Sequence, residues 1–200
     1  MWDGTMDEAP VTVVLVEGES DRLAVEALAV RLGHDLAAAG AVIVSMHGVT
    51  NLRRHLADLA AMPVRPRVIG LFDAGEVAYV LAVVEEAGLG RTRSVAELAE
   101  LGYFACEPDL EGELIRALGV DRVQQLFAEH GELARFRTFQ HQPYQRARPV
   151  EAQLRRFMGT HGGRKARFAP IFVAALDEAR IPAALTALVS SAAGQAASRN

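Results

Sequence analysis

The sequence predicts an α/β fold: a parallel sheet flanked by helices, followed by an α-helical extension. Three observations predict it. Short runs of branched apolar residues recur along the first 120 positions. Segments with helical spacing of apolar residues separate them. Several of those segments end at a glycine, which readily takes the left-handed conformation that closes a helix. Strands that are apolar on both faces and alternate with helices are what a sheet covered on both sides requires.

The elements follow in order. VTVVLV (11–16) reads as the first strand and SDRLAVEALAVRLG (20–33) as a helix capped at Ser20 and closed by Gly33. AVIVSM (41–46) is the second strand, and NLRRHLADLAAM (51–62) a helix with Thr50 or Asn51 near its start. RVIGLF (67–72) is the third strand, with a helix over 75–88 ending at Gly88. GYFAC (102–106) is the fourth strand, and DLEGELIRALG (109–119) a helix ending at Gly119. Beyond it, DRVQQLFAEHGELARF reads as helical and FQHQPYQRARPV as irregular and basic. EAQLRRFM reads as a short helix, HGGRK as a glycine turn and ARFAPIFVAALDEAR as a further helix. The expected organisation is a flexible tail at 1–9, an α/β domain at 10–120, a basic helical extension at 121–190 and a disordered tail at 191–200.

Composition narrows the function. Half of the 200 residues are apolar and 23% are charged, as in globular chains. The lone cysteine, Cys106, excludes a disulfide framework within the chain and metal sites built on cysteine clusters. The apolar run at 11–16 is far shorter than the roughly 20 residues a membrane span needs. A cytoplasmic protein is expected. The net charge of −4 hides a split. From Arg135 to Arg167 there are nine arginines and lysines against one acid, Glu151, so that segment carries +8 and the rest −12. A basic segment on an acidic body suits a phosphate polymer held beside bound cations. Twenty arginines stand against one lysine, Lys165. A compact, titratable ammonium does what a guanidinium cannot.

The acids gather where the predicted strands end. Glu17 follows the first, Asp73 the third, and Glu107 and Asp109 the fourth. In open parallel sheets, sites lie at those ends. Asp21 in the first helical turn can point back toward Glu17 across Gly18, and Glu76 falls one turn after Asp73. CEPDLEGE adds Glu111 and Glu113. Crowded carboxylates repel unless a cation joins them. Oxygen-only ligand sets suit Mg²⁺ or Mn²⁺. Two such ions roughly 3.5–4 Å apart can drive phosphodiester cleavage.

The order Glu-Gly-x-x-Asp (17–21), His-Gly (47–48), LFDAGE (71–76), DLEGELIRALG (109–119) and a late GRK (163–165) resembles the Toprim half of OLD-family (overcoming-lysogenization-defect) nucleases. The resemblance spans most of residues 10–175 and implies a Toprim, Rossmann-like sheet. It implies a nuclease acting on DNA, with RNA as a second substrate class, through two divalent ions. Carried over, Glu17 and Asp21 match the first acidic motif, Asp73 the first acid of Asp-x-Asp, and Asp109 and Glu111 the later motif. Lys165 matches the lysine that assists catalysis, with Glu17 beside it. The second acid of Asp-x-Asp is Gly75 here, with Glu76 next to it. No Gly-x-x-x-x-Gly-Lys-Ser/Thr loop occurs, so an ATPase is expected as a separate partner or not needed.

Arg146, Arg148, Arg155, Arg156, Arg164 and Arg167 are the candidate backbone contacts. Tyr144 could stack on a base. The six histidines show no zinc-like spacing, and His47 is a minor candidate near the acids. The alternative reading is a non-catalytic Toprim module that binds nucleic acid or nucleotide and regulates an ATPase partner.

Overall fold

The computed structural model describes residues 11–194. The tail expected at 1–9 lies outside the described residues, as does most of that at 191–200. Four strands form one parallel sheet: β1 (Thr12–Val16), β2 (Ala41–Ser45), β3 (Arg67–Asp73) and β4 (Tyr103–Cys106), in the order β2-β1-β3-β4. Register runs Val16 to Ser45, Val16 to Leu71 and Asp73 to Cys106, so the C-terminal ends of the strands lie side by side.

All five residues of central β1 are buried. Val14 and Val16 belong to one apolar cluster, while Val13 and Leu15 belong to another, as the two-residue period of a strand demands. The second cluster is closed by α2 (Leu52–Ala60), α3 (Val77–Glu86) and α4 (Val95–Glu100). The first is closed by α1 (Glu19–Arg31), α5 (Leu110–Leu118) and α6 (Val120–Glu129), and by the C-terminal helices. Those are α7 (Leu133–Gln140), α9 (Val150–Met158), α10 (Arg164–Ala175) and α11 (Ala183–Ala192), while the short α8 (Pro143–Arg146) lies between α7 and α9 outside the cluster. Fully buried aliphatic side chains each contribute about 1.5–3 kcal/mol, so both faces drive folding.

Helix α10 packs along α1, and α11 packs against β3 and β4. Phe127, Phe136, Phe157 and Phe168 interlock between α6, α7, α9 and α10. The arrangement is clamped by Arg31, at the end of α1. Its guanidinium donates to the carbonyls of Val173 (2.7 Å), Ala174 (2.9 Å) and Leu176, closing the end of α10.

Several boundaries differ from those expected. Helix α1 starts at Glu19, and its cap is Gly18 rather than Ser20. Its other end closes as expected: Gly33 has φ 74°, and the amides of Gly33 and His34 donate to the carbonyls of Val30 and Ala29. The helix read across 121–136 breaks at Gly131 into α6 and α7. The stretch read as irregular contains α8. Its loop is pinned by buried Gln153, which donates to the carbonyls of Gln145 (2.8 Å) and Arg148 (3.0 Å). Lys165 lies in the first turn of α10 rather than in the glycine turn before it. Helix α11 continues through Ala192, past the expected start of the tail. Helix α4 was not expected. Its Ser94-x-x-Glu97 start is a capping pair, with Ser94 Oγ accepting from the Glu97 amide at 3.2 Å.

Candidate functional site

The chain leaves β1 for β2 on one side and then returns to β3 on the other. That reversal opens a crevice at the C-terminal ends of β1 and β3. Glu17 and Asp73 sit on its two lips. Glu17 Oε1 accepts the Asp73 amide at 2.8 Å, which fixes its direction across the crevice. Asp21, in the first turn of α1, accepts the Gly18 amide at 2.7 Å. Asp21 thus points back across the turn, but onto the Gly18 amide, where it serves the helix start. The loop after β2 is tied to the same place, with the Gly48 amide donating to the Glu17 carbonyl at 2.8 Å. Asn51 holds that loop through the Met46 carbonyl at 2.9 Å. His47 is exposed there with φ 55°, a strained setting for a residue with a Cβ.

The acids after β4 are placed differently. Asp109 and Glu111 are buried, at 8% and 5% exposure. Asp109 caps α5 through the Gly112 amide at 2.7 Å. A Cβ at Gly112 would lie 2.8 Å from Pro108 Cδ, so only glycine lets this cap close. The other Asp109 oxygen holds Arg155 at 2.6 Å. Glu111 holds the Lys165 ammonium at 2.9 Å. Glu113 turns away to accept the Glu107 amide at 2.9 Å.

The charges feel one another. Burial, with the charges of Glu111 and Glu17, pushes Asp21 up to about 7. Burial, with Glu17, Asp109, Asp21 and Glu111, does the same to Asp73, again to about 7. Glu17 is raised by burial and then by Glu76, against the pull of the Asp73 amide. Burial disfavours the Lys165 ammonium, but Glu111, Asp109 and Asp73 outweigh it and raise its pKa. Glu17, Asp21, Asp73, Glu76, Asp109, Glu111 and Lys165 are thus brought into one electrostatic neighbourhood.

The donor set fits a hard divalent ion. It consists of carboxylates, and two of them are held partly protonated near neutral pH by one another and by burial. A cation among them would relieve both costs. Among the described residues, no three His, Cys, Asp or Glu side chains are already set around a single metal position. Ion pairs with Arg155 and Lys165 draw Asp109 and Glu111 aside.

The six candidate arginines divide. Arg146, Arg148 and Arg156 are exposed on α8, its following loop and α9. Arg167 is half-exposed, donating to the His130 carbonyl at 2.8 Å. Arg155 reaches into the acid cluster. Arg164 does not face out: it is 8% exposed, paired with Glu132 at 3.1 Å and stacked on Phe157 at 3.9 Å. It packs the helical layer, because a guanidinium in the first turn of α10 meets a buried carboxylate there. Tyr144 is 87% exposed. A hollow of about 670 Å³ lined by Ala29, His34, Leu36 and Ile43 lies toward the start of β2 and contains none of these residues. Sequence reasoning missed Arg155 as the partner of Asp109, 46 residues away, and Arg31 as the clamp on α10. Neither contact leaves a local signal.

Residues 11–73 match the family model of the overcoming lysogenization defect protein-like Toprim domain. This segment carries the OLD-like Toprim signature. The match ends at Asp73, so it includes Glu17 and Asp21 and stops short of Asp109, Glu111 and Lys165. The fold likeness reaches further. The C-terminal region of the OLD protein of Xanthomonas campestris pv. campestris is 24% identical with a TM-score of 0.71, over 92% of this chain and 93% of that one. A second crystal of that region, phased with mercury, gives 22% and 0.70 over 92% and 95%. The C-terminal region of the Burkholderia pseudomallei OLD protein is 18% identical with a TM-score of 0.69, over 92% and 98%. At these identities the likeness is one of fold: the four-stranded, Rossmann-like parallel sheet with its flanking helices. Curated proteins give no match. Among the described residues no helix is long and apolar enough to cross a membrane.

Proposed function

We propose that this chain is a divalent-metal-dependent nuclease that hydrolyses phosphodiester bonds in DNA, with RNA as a second substrate class. The observation that carries this reading is the convergence on one crevice of Glu17, Asp21 and Asp73 with the Lys165–Glu111 pair. Four separate segments supply them. Glu17, Asp21 and Asp73 would hold Mg²⁺ or Mn²⁺, with Glu76 beside Glu17. An ion held there would supply Lewis acidity to the phosphate and to an attacking water. Glu17, directed by the Asp73 amide, orients what enters the crevice. Lys165, steered by Glu111, lies ready to stabilise charge developing on the phosphate or the leaving oxygen. Arg146, Arg148, Arg156 and Arg167 would hold the flanking backbone, so affinity falls with salt. Residues 10–120 would supply the acids and 121–190 the lysine and arginines. A cytoplasmic location and a separate ATPase partner belong to the same proposal.

The test is cleavage of plasmid DNA, linear DNA and RNA in Mg²⁺ and in Mn²⁺, repeated with Glu17→Ala, Asp73→Ala and Lys165→Ala. Wild-type cleavage lost in all three variants supports the reading. Cleavage that persists in the acid variants removes the site assignment. Lys165→Arg examines the lysine, since full activity would deny it a special role. A second reading, a non-catalytic module that binds nucleic acid or nucleotide and regulates an ATPase, is favoured by Gly75 standing where a further acid would complete Asp-x-Asp. Binding of DNA without turnover in Mn²⁺ would support it.

A further inference from the structure

The short helix α8 and the turn after it display an aromatic ring that the fold does not use. Tyr144 is the most exposed large apolar side chain among the described residues. The other two tyrosines serve the fold: Tyr103 is buried, and the Tyr79 hydroxyl donates to the Thr50 carbonyl at 3.0 Å. None of the ring pairs among the described residues includes Tyr144. A lone exposed apolar side chain is ordinary, but this one stands on a built support. Buried Gln153, on α9, donates to the carbonyls of Gln145 and Arg148 on either side of the turn. Its own oxygen accepts from Gln140 Nε2 at 2.6 Å, so both ends of the amide are satisfied. Pro143 and Pro149 bracket the segment and fix φ at each end. A buried polar network with its partners in place holds a segment in one conformation. The ring is therefore presented rigidly to solvent.

The charges around it are of one sign. From Leu133 to Val150 there are four arginines and no acid. Arg146 and Arg148 follow the ring closely in sequence, and both are exposed. Each commits Nε to a carbonyl of the same segment, Arg146 to His141 at 2.8 Å and Arg148 to Tyr144 at 3.2 Å. None of the ion pairs among the described residues includes either guanidinium. Their outer nitrogens are left for an acceptor from outside the chain. A ring beside two such forks matches a nucleotide, whose base offers a flat face and whose phosphates offer oxygens. A duplex keeps the faces of its bases stacked on one another, so the base that meets this ring is unpaired. We propose that Tyr144, Arg146 and Arg148 form a seat for single-stranded DNA, the ring stacked on a base and the guanidiniums on neighbouring phosphates. The inference rests on the nucleic-acid half of the function proposed above and not on cleavage. Helix α9 begins at Val150 and sets Arg155 on Asp109, so the loop ends about 8 Å of helix from a residue of the crevice. One short helix thus joins the seat to the acids.

The test separates stacking from charge. A labelled single-stranded oligonucleotide and its blunt duplex are titrated with the full chain in EDTA, so that nothing is cut, and fluorescence anisotropy is read across a salt series. Tyr144→Ala should weaken single-strand binding about 10-fold, with the duplex little changed and the salt slope that of wild type. Tyr144→Phe should bind like wild type, because the face of the ring is what acts. Arg146→Ala should instead lower the salt slope by about one. A fluorescent base analogue in the strand should be quenched by wild type and Tyr144→Phe, and not by Tyr144→Ala. All three variants should melt like wild type, since these side chains are exposed. Unchanged single-strand affinity in Tyr144→Ala, or an equal loss on the duplex, overturns the inference. So does a Tyr144→Phe variant as weak as Tyr144→Ala. Wild type that holds the single strand in EDTA but cuts no DNA in Mn²⁺ supports the seat and removes the nuclease reading alone. Wild type that cuts DNA in Mn²⁺ but shows no preference for the single strand overturns the seat alone.

Discussion

Two groups of carboxylates share one crevice, and they are treated in opposite ways. Asp109 and Glu111, at the start of α5, are more buried than Glu17 and Asp73, yet each has a side-chain cation from the C-terminal helices. Glu17, Asp21 and Asp73, at the ends of β1 and β3, have backbone amides and one another, and pay for the crowding with raised pKa values. A third site sharpens the contrast. Buried Glu132 draws Arg135, Arg164 and Arg167 and packs the helical layer. Where the fold needs a stable carboxylate, it provides a fixed cation. Where it leaves carboxylates crowded without one, the proposed function places an exchangeable cation.

The comparison can be broken most sharply at the uncompensated acids. Glu17→Ala and Asp73→Ala should each lower Mn²⁺-dependent cleavage by about 10³-fold or more while the far-ultraviolet circular dichroism stays that of wild type. Loss of folding instead would make these acids structural. At the compensated site the order reverses. Glu132→Gln leaves the buried Arg164 with a weakened partner and should cost about 3 kcal/mol of stability in urea melts. Cleavage per folded molecule should not change. Equal loss of activity would erase the distinction.

A smaller effect concerns pH. Asp21 and Asp73 titrate near 7 in the folded chain and near 3.8 when unfolded. Between those values the folded state binds protons that the unfolded state has released. Metal-free stability should therefore fall as pH rises from about 4 to 7. Asp21→Asn removes one of these groups and should flatten that slope. At pH 8 in EDTA it should exceed wild type by on the order of 1–2 kcal/mol. Mn²⁺ should raise the wild-type melting temperature and raise that of Asp21→Asn less. A variant less stable than wild type at pH 8 would place Asp21 with the compensated group. The smallest expected change is at the surface. Arg146→Ala, Arg148→Ala and Arg156→Ala should each reduce the salt dependence of oligonucleotide binding by about one unit of log–log slope. Arg164→Ala should instead lower stability.

Much of this was legible in the chain itself. The four strands, the glycine closure at Gly33 and the acids after β1, β3 and β4 all follow from local pattern, because strand and helix periods and turn residues act within a few positions. The Toprim likeness rested on the same local motifs. The segment after residue 120 was less legible. Gly131 ends one helix and begins another, and α8 is held by Gln153, a buried amide that no period reveals. Arg164 and Arg155 looked alike as members of a basic run. One lies under Phe157 and Glu132, the other on Asp109.

By itself, the sequence determined which acids stand where the strands end, since the strand ends that carry Glu17 and Asp73 are set by apolar runs and their boundaries. Only the tertiary structure decided which of the acids keep a protein cation. Arg155 reaches Asp109 across 46 residues and Lys165 reaches Glu111 across 54. Such pairings depend on how α9 and α10 pack against α5 and α1, and side-chain packing over that distance has no counterpart in local spacing.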